Sequence, residues 1–327
     1  MSNFRWGVLG TGGIARAFIR DLAMAENQSV VAVGSRTLVR AQELASTIPG
    51  AIAYGSYEEL VRDTNVDAIY VATPHPFHKE HTILALNALK PVLCEKPFAL
   101  SVRETQEMID AAVANNVALL EAMWTRYLPH IAQLRGIIAS GVLGKIYNVQ
   151  ADHGQRLADR NIPRLVEPDL AGGALLDLGI YPISFAHLVL GTPNRITSTG
   201  VMTERGVDAQ TSAIFDYADG AQAVISTNMI AQTPCRAVVS GLLGRLEIDS
   251  VFYAPTSMRV ILIDGTITQY PHTYQGHGLR EQAIEMARVV RSGAVESPLM
   301  PWSETLAVMQ SLDEIRRQIG LTYPSEN

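Results

Sequence analysis

The first fifteen residues constrain the fold of this chain more than any other segment. A short apolar run, Trp6–Leu9, leads into Gly10-Thr11-Gly12-Gly13-Ile14-Ala15, and a segment with helical spacing follows. Gly10 permits a tight turn, Gly12 lets the backbone approach a ligand, and the small Ala15 permits close helix–strand packing. A helix that begins at such a turn offers amide donors and partial positive charge to phosphates. The segment predicts a parallel α/β sheet with a pyrophosphate-binding loop; the alternative is a glycine-rich turn without a ligand.

Short apolar runs and helical segments continue to alternate up to about residue 120. This alternation predicts parallel strands with right-handed crossovers, hence a doubly wound Rossmann sheet over residues 1–122. The strand candidates after Leu9 are Val30–Val33, Ala68–Ala72, Pro91–Cys94 and Ala118–Leu120, and the helix candidates are Ile14–Ala25, Leu38–Ser46, Lys79–Leu89 and Val102–Asn115.

The spacing of apolar residues changes after Met123. This change is the basis for predicting a second domain over residues 123–327. Consecutive strand-like runs separated by turn residues predict an α+β domain with a mainly antiparallel open sheet. The predicted strands are Arg195–Met202, Gln210–Tyr217, Gln222–Ile230, Arg236–Gly241, Gly244–Ile248 and Met258–Ile263, and the predicted helices are Pro129–Ser140, Gly172–Leu190, Leu279–Ser292 and Ser303–Ile319.

Composition excludes several classes of function. The 327 residues are 47% hydrophobic with a net charge of −6 and contain no basic run, so we expect no nucleic-acid partner. We also expect no membrane span, because no stretch approaches the roughly 20 apolar residues that a span requires. Cys94 and Cys235 lie far apart and have no metal-ligand spacing. They favour a reducing, cytoplasmic setting.

The end of the second predicted strand indicates which dinucleotide the loop binds. It reads Val33-Gly34-Ser35-Arg36-Thr37, where an NAD-preferring fold would carry an acid for the ribose diol. Ser35 and Thr37 can donate hydrogen bonds, and Arg36 can pair with a 2′-phosphate. Arg40 is one helical turn further along. The pattern predicts NADP, with NAD less favoured; the alternative is that the arginines are solvated surface charges.

A lysine follows a buried strand at Glu95-Lys96-Pro97. Ligands of open α/β sheets bind outside the carboxyl ends of the strands, and lysine is rarely buried without a partner. We therefore expect the Lys96 ammonium beside the nicotinamide ribose and the reacting oxygen. The alternative is a lysine that simply reaches solvent.

The segment Gly172-Gly173-Ala174-Leu175-Leu176-Asp177-Leu178-Gly179-Ile180-Tyr181 carries two polar groups in an apolar helix. Asp177 and Tyr181 share a helical face, so they need partners or a cavity. Pro182 cannot donate the usual backbone hydrogen bond and predicts a bend. The two residues are either catalytic or a buried structural pair.

Together, the Gly10–Ala15 loop, Glu95-Lys96-Pro97 and the Gly172–Tyr181 segment resemble the glucose-fructose oxidoreductase/inositol dehydrogenase (Gfo/Idh/MocA) family. That family usually has histidine where this chain has Tyr181, and the difference resembles its dimeric dihydrodiol dehydrogenase branch. Trp6-Gly7, Glu121-Ala122-Met123-Trp124-Thr125-Arg126 and the closing segment from Glu296 to Pro324 also resemble this branch.

The resemblance implies a nicotinamide enzyme that acts on sugars, diols or related carbonyl compounds. It also implies that the C-terminal sheet pairs with a second subunit. The catalytic positions that it implies are Lys96, Asp177 and Tyr181, and the loop that borders the nicotinamide half of the cofactor contains Thr73, Pro74, His75 and His78.

Two further hypotheses concern neighbouring residues. Trp124 and Arg126 are candidates for substrate contact; the alternative is packing between domains with a surface arginine. For His75, His78 and His81 we expect no metal site, because no carboxylate or cysteine completes a ligand set.

The expected reaction is hydride transfer between nicotinamide C4 and a secondary alcohol, hemiacetal or ketone carbon. Tyr181 exchanges the hydroxyl proton, the Lys96 ammonium favours its phenolate, and Asp177 orients substrate or lysine. Two alternatives stay open: an NAD-dependent inositol or sugar dehydrogenase, and a catalytically silent NADP-sensing regulator.

Overall fold

The architecture is that of a computed structural model, which describes residues 2–160 and 162–324. The first part of the chain alternates strand and helix, as its sequence period predicts. In order, the elements are β1 (Phe4–Leu9), α1 (Gly13–Leu22), β2 (Gln28–Gly34), α2 (Leu38–Ala45), β3 (Ile52–Tyr54), α3 (Tyr57–Val61), β4 (Ala68–Val71), α4 (His78–Asn87), β5 (Val92–Glu95), α5 (Val102–Asn115) and β6 (Leu119–Ala122).

The rest of the chain is mainly strands flanked by helices. The elements are α6 (Pro129–Ala139), β7 (Ile146–Gly154), α7 (Pro163–Val166), a π-helical turn (Leu175–Gly179), α8 (Ile180–Leu190), β8 (Arg195–Met202), β9 (Asp208–Asp216), β10 (Gln222–Asn228), β11 (Ala237–Gly241), β12 (Gly244–Ile248), β13 (Met258–Leu262), β14 (Ile267–Tyr270), α9 (Leu279–Ser292) and α10 (Trp302–Ile319).

The chain forms two compact units, and both are discontinuous in sequence. Unit 1 comprises Met1–Tyr127 and Gly276–Leu306, and unit 2 comprises Leu128–Gln275 and Ala307–Asn327. The sequence-based division into 1–122 and 123–327 assumed two continuous domains. The structure instead assigns the segment Gly276–Leu306, which contains α9, to unit 1 and extends the first segment of that unit to Tyr127. The carboxylate of Asp21 in α1 accepts hydrogen bonds from the backbone N–H groups of His277, Gly278 and Arg280 at 2.7–3.0 Å. It thereby binds the start of α9 to unit 1.

Unit 1 is a six-stranded parallel sheet in the order β3-β2-β1-β4-β5-β6. Strands β4, β5 and β6 are buried along their whole length, as expected of a parallel sheet with helices on both faces. The strand order reverses between β1 and β4. Open α/β sheets bind ligands at such a switch point. The predicted doubly wound fold is confirmed.

Unit 2 contains an eight-stranded sheet in the order β14-β13-β12-β11-β7-β10-β9-β8. Its pairs are antiparallel except for β7 and β10, which run parallel. The predicted mainly antiparallel sheet is therefore confirmed. The sequence did not predict β7, which lies inside the sheet, because the apolar alternation of Val149, Ala151 and His153 is weak. It also did not predict β3, α3 or β14.

The predicted helix from Gly172 to Leu190 is irregular in its first half. A π-helical turn occupies Leu175–Gly179, and regular helix begins only at Ile180. Pro182 lies in the first turn of α8, so the irregularity precedes it.

The statement that no stretch approaches the length and apolarity of a membrane span needs one correction. Pro168–Leu190 is long and apolar enough to pass a membrane-span criterion. Its most apolar part is 83% buried inside the protein, as is usual for the core helix of a globular domain. The resemblance to a span therefore rests on length and composition alone.

Candidate active site

The glycine loop of unit 1 has the geometry that a diphosphate requires. Gly10 has a φ of +103°, and a Cβ there would lie 2.7 Å from the carbonyl oxygen of Ala72. Within residues 2–160 and 162–324, a Cβ on Gly12 or Gly13 would meet nothing within 4 Å, and no side chain caps Gly12. The first amides of α1 are therefore accessible to phosphate oxygens. Ala15 is fully buried, as its predicted packing role requires.

The ends of five strands that lie side by side in the sheet place the candidate residues on one edge of unit 1. Gly10 follows β1, Ser35 follows β2, Thr73 follows β4, Lys96 follows β5 and Trp124 follows β6. Because all six strands are parallel, these positions share the carboxyl edge of the sheet. The structure therefore brings the predicted phosphate, ribose and nicotinamide residues together in one unit.

A cavity of about 410 Å³ lies at the ribose end of this edge. Arg36 lines it, and its guanidinium carbon lies 5.8 Å from the centre of the Phe77 ring. Ser35 is buried, and its hydroxyl accepts a 3.4 Å hydrogen bond from the backbone N–H of Thr37. Arg40 is exposed and does not line this cavity. The remaining lining residues are Gly55, Ser56, Tyr57, Glu58, Thr73, Pro74, Glu80 and His81.

A larger cavity of about 690 Å³ lies elsewhere in unit 1, between α1, α2 and the start of β2. Gln28, the first residue of β2, lines it. It is therefore at the opposite, amino end of the strand from Ser35. Size alone does not make it the reaction site.

The loop after β4 is joined to the Glu95-Lys96-Pro97 segment by one histidine. The Nδ1 of His78 lies 2.8 Å from the Pro97 carbonyl oxygen, and its Nε2 lies 2.8 Å from the Thr73 carbonyl oxygen. Burial lowers the pKa of His78 to about 4, and the two carbonyl contacts, which favour the charged ring, act in the opposite direction. The Nδ1 of His81 lies 3.0 Å from the Thr73 hydroxyl. These contacts give His78 and His81 structural roles in the cofactor loop.

The strand that precedes Lys96 ends in a buried carboxylate. The Tyr70 hydroxyl donates a hydrogen bond to Glu95, and the Lys96 backbone N–H donates to the same carboxylate at 3.2 Å. The Lys96 residue itself is half-buried. Cys94 is buried, and burial raises the pKa of its thiol, so it is unsuited to act as a nucleophile. The predicted core role of Cys94 agrees with this environment.

The two proposed substrate residues, Trp124 and Arg126, have different surroundings. The Trp124 ring centre lies 4.8 Å from that of the exposed His277. Arg126 is 1% exposed and forms a 2.6 Å ion pair with Glu304. It is therefore neither a surface arginine nor a side chain that projects freely. Its substrate role stays a prediction.

Unit 2 brings Asp177 and Tyr181 onto one buried segment. The Asp177 carboxylate forms a 3.0 Å ion pair with Arg164, whose side chain is 48% exposed. Tyr181 is buried and stacks on Tyr253, with ring centres 4.5 Å apart and planes at 27°. The ring centre of His153 lies 5.3 Å from that of Tyr181. Two aromatic rings therefore pack against the proposed acid/base residue.

The paired glycines before Asp177 permit close packing inside unit 2. A Cβ on Gly172 would lie 2.7 Å from the Leu165 backbone, and one on Gly173 would lie 2.2 Å from the carboxylate of Asp208. Asp208 accepts a 2.9 Å hydrogen bond from the Leu175 backbone N–H. The glycines thus let a buried carboxylate cap the π-helical turn that carries Asp177.

Sequence reasoning missed Arg164, His153, Gln155 and Tyr253. His153 lies in the unpredicted strand β7, and Tyr253 lies in the segment after β12. Arg164 meets Asp177 through a tertiary contact, and His153 and Tyr253 meet Tyr181 in the same way. Gln155 joins His153 to Tyr253. A histidine two residues before a glutamine at the end of a weak strand is not a distinctive local signal.

The fold and these sites define the class of protein. A glycine turn at the switch point of a six-stranded parallel sheet, with a second antiparallel-sheet unit carrying aspartate and tyrosine, is the architecture of a nicotinamide-dependent oxidoreductase. The chain belongs to the GFO/IDH/MocA family. The family model described as "Oxidoreductase family, NAD-binding Rossmann fold" matches residues 4–123, and the "GFO/IDH/MocA C-terminal domain" matches residues 131–247.

Two curated relatives extend over almost the whole chain. Trans-1,2-dihydrobenzene-1,2-diol dehydrogenase from Danio rerio is 36% identical over 99% of this chain and 99% of its own. D-xylose 1-dehydrogenase (NADP(+)) from Hypocrea jecorina is 35% identical over 98% of this chain and 93% of its own. The resemblance to the dihydrodiol dehydrogenase branch is confirmed.

Solved structures show the same two-unit fold. A 3-ketoreductase from Actinomadura kijaniata with NADP and TDP-benzene has a TM-score of 0.86 at 26% identity, covering 97% of this chain and 98% of its own. Variants of one lysine and of one tyrosine of that ketoreductase have also been solved. An aldose-aldose oxidoreductase from Caulobacter crescentus with glycerol has a TM-score of 0.87 at 25% identity, covering 97% of both chains.

Proposed function

We propose that this chain is an NADP-dependent dehydrogenase or reductase that interconverts a CH–OH group and a carbonyl in a sugar, a diol or a related compound. The observation that carries the proposal is the shared carboxyl edge of unit 1, where Gly10, Arg36, Thr73 and Lys96 each follow a strand. The names of the full-length relatives support the substrate class.

The residues of unit 1 fit NADP. The open backbone at Gly12 suits the pyrophosphate, and Arg36 in the adjoining cavity suits a 2′-phosphate. Glu58 and Glu80 also line that cavity, and their charge opposes the phosphate unless Arg36 lies nearer to it. The NADP complexes and the NADP(+) name among the relatives favour the same cofactor.

The proposed chemistry assigns separate roles to Tyr181, Lys96 and Asp177. NADP(H), held by the Gly12 backbone and Arg36, would supply the hydride acceptor or donor for the substrate carbon. In the proposal Tyr181 removes or supplies the hydroxyl proton, and the Lys96 ammonium favours the phenolate. Asp177, held by Arg164, orients the substrate or Lys96. Tyr181 and Lys96 thus act on the hydroxyl proton, and Asp177 acts on the position of its neighbour.

A second copy of the chain is the partner that we propose for the sheet of unit 2. Ile214 of β9 and Val224 of β10 are direct cross-strand neighbours, and each is 42% exposed. They lie on the face opposite the buried Ala223 and Phe215. Apolar side chains in the middle of an open sheet face favour a homo-oligomer over a solvated surface.

We propose a cytoplasmic location. Cys94 and Cys235 are both free and buried, which suits a reducing compartment.

A spectrophotometric assay tests the proposed reaction. Purified protein is mixed with NADP(+) and D-xylose or trans-1,2-dihydrobenzene-1,2-diol, and with NADPH and a panel of dicarbonyls. We expect NADPH absorbance to rise or fall in at least one mixture, and to change more slowly with NAD(H). Tight NADP binding with no turnover on the whole panel would instead support the silent-regulator alternative.

A further inference from the structure

The surroundings of Tyr181 in unit 2 contain a hydrogen-bonded group of side chains with no role in the reaction described so far. His153 is 1% exposed, and its ring centre lies 4.2 Å from that of Tyr253. Tyr181 packs on both rings, at 4.5 Å from Tyr253 and 5.3 Å from His153. Two other rings thus pack against the ring of Tyr181.

One amide holds this group together. The Nε2 of Gln155 lies 2.8 Å from the Tyr253 hydroxyl and 2.9 Å from the Nε2 of His153. An amide nitrogen has two hydrogens, so a single Gln155 side chain donates to both rings. The Gln155 backbone N–H in turn donates to the Asn228 carbonyl oxygen of β10 at 2.9 Å. The amide is therefore attached to the sheet.

The hydrogen bonds select one form of His153. Its Nδ1 lies 3.1 Å from the Leu178 carbonyl oxygen, which can only accept, so Nδ1 carries the hydrogen. Its Nε2 receives the Gln155 donor, so that nitrogen is unprotonated. A neutral His153 with its hydrogen on Nδ1 satisfies both contacts, and they set the orientation of the ring at both nitrogens.

The Leu178 carbonyl lies in the π-helical turn just before the helix that carries Tyr181. It accepts from the Ile180 backbone N–H, and a carbonyl oxygen has two lone pairs, so it can also accept from His153. Pro182 has no N–H and therefore does not compete for this oxygen. The same helix packs on the Tyr253 segment through Phe185 and Phe252, whose ring centres are 5.6 Å apart.

We propose that His153, Gln155 and Tyr253 are positioning residues that fix the ring of Tyr181 for proton transfer. This inference rests on the proposed function of Tyr181. Gln155 joins the two rings, and His153 connects them to the tyrosine's own helix at Leu178. Loss of the amide would leave Tyr181 in place but with greater freedom of its ring.

The two tyrosines have different tasks in this arrangement. Burial, and then the neighbouring Tyr181, raise the pKa of Tyr253. The other titratable groups that face it are His153, Cys235 and Asp177. Tyr253 therefore stays protonated while its neighbour exchanges a proton. Pairs of groups with divergent environments commonly divide such roles.

The test is a double-mutant cycle in the full-length protein. Gln155→Met keeps the length of the side chain and removes its donors. We expect kcat to fall about 3- to 10-fold, because only part of the free energy of the two lost hydrogen bonds acts on the position of Tyr181, with an unchanged KM for NADP. In the Tyr181→Phe background the same substitution should change the residual kcat by less than about 2-fold. His153→Phe, which keeps a ring, should behave similarly.

A matched control comes from another tyrosine of unit 2. Tyr217 is buried, and its hydroxyl has no hydrogen-bond partner among the residues that the structure describes. Tyr217→Phe should leave kcat unchanged. Thermal unfolding of Gln155→Met and Tyr217→Phe shows whether both are folded, and the conclusion rests on Gln155→Met if His153→Phe does not fold.

The outcomes are distinguishable. An unchanged kcat for Gln155→Met, or an equal loss in both backgrounds, overturns the positioning role and leaves the proposed function intact. Near-full turnover by Tyr181→Phe overturns the proton-transfer proposal itself.

Discussion

Tyr181 and Tyr253 stack with their ring centres 4.5 Å apart and their planes at 27°. This contact is made by the rings, so it does not depend on the Tyr181 hydroxyl. Substituting phenylalanine for Tyr181 therefore removes a chemical group and preserves the packing.

Tyr181→Phe should lower turnover by about 10²- to 10⁴-fold, the usual effect of losing a general acid or base. The affinity for NADP should stay nearly unchanged, because the predicted cofactor residues belong to unit 1. Steady-state kinetics and a fluorescence titration with NADPH measure the two quantities. Near-full activity would make Tyr181 a structural residue and assign the proton to Lys96 or to water.

Lys96→Met should also be severe, since it removes the positive charge proposed to favour the phenolate. Any remaining alcohol oxidation should show a higher apparent pKa in its pH–rate profile. Asp177→Asn should have a milder effect if Asp177 only orients its neighbours. A profile for Lys96→Met with the wild-type pKa would contradict the tuning role.

The cofactor preference should depend on the end of β2. Arg36→Ala should weaken NADP binding by about 10- to 100-fold, the value of a charge-assisted hydrogen bond, with little change for NAD. Ser35→Asp should shift preference toward NAD, because a carboxylate repels the 2′-phosphate and accepts from a ribose diol. Arg40→Ala should have a smaller effect, since Arg40 does not line the Arg36 cavity.

Parallel titrations with NADP and NAD measure these affinities. Arg103→Ala is a suitable control, because that side chain is 72% exposed on α5. Equal or tighter binding of NAD by the unmodified protein would contradict the assignment.

The protein should sediment as a homo-oligomer, at least a dimer, with a mass that is a multiple of the 35.5 kDa chain. Ile214→Lys should shift it toward the monomer, because it places a charge beside Val224 on the proposed interface. Ile263→Lys introduces the same charge at a residue that is 77% exposed and follows β13, and should leave the mass unchanged. A monomer at micromolar concentration would refute the proposal.

Glu121 should make the stability of unit 1 depend on pH. It is buried beside Thr305, which donates a 2.8 Å hydrogen bond to it, and burial raises its pKa to about 7 from an ordinary 4.5. A carboxyl with a raised folded pKa stabilises the fold fully only below its unfolded pKa. That stabilisation is lost as the pH rises through the folded pKa.

Glu121→Gln removes this titration. Relative to the unmodified protein, its free energy of unfolding should increase between about pH 4.5 and pH 8, by on the order of 3 kcal/mol. Denaturant unfolding across this range measures the difference, with Glu43→Gln on the exposed side of α2 as control. A constant difference across the range would show that Glu121 does not titrate as described.

Local sequence patterns were sufficient to predict the Rossmann half and its cofactor edge. In a parallel α/β sheet each strand end is marked locally, by apolar runs, glycines and helix starts, so Gly10, Ser35 and Lys96 could be placed without coordinates. The local period also located Asp177 and Tyr181 on one segment. These features depend on neighbours within a few residues along the chain.

The residues around that segment could not be predicted, because packing between distant parts of the chain brings them there. Strand β7 has a weak apolar alternation and acquires its place by pairing with β10 and β11, far along the chain. It brings His153 to Tyr181, and the segment after β12 adds Tyr253. Likewise, Arg126 becomes a buried partner of Glu304 only after a distant segment joins unit 1. Such contacts arise from packing between elements that are remote in sequence, so no local pattern encodes them.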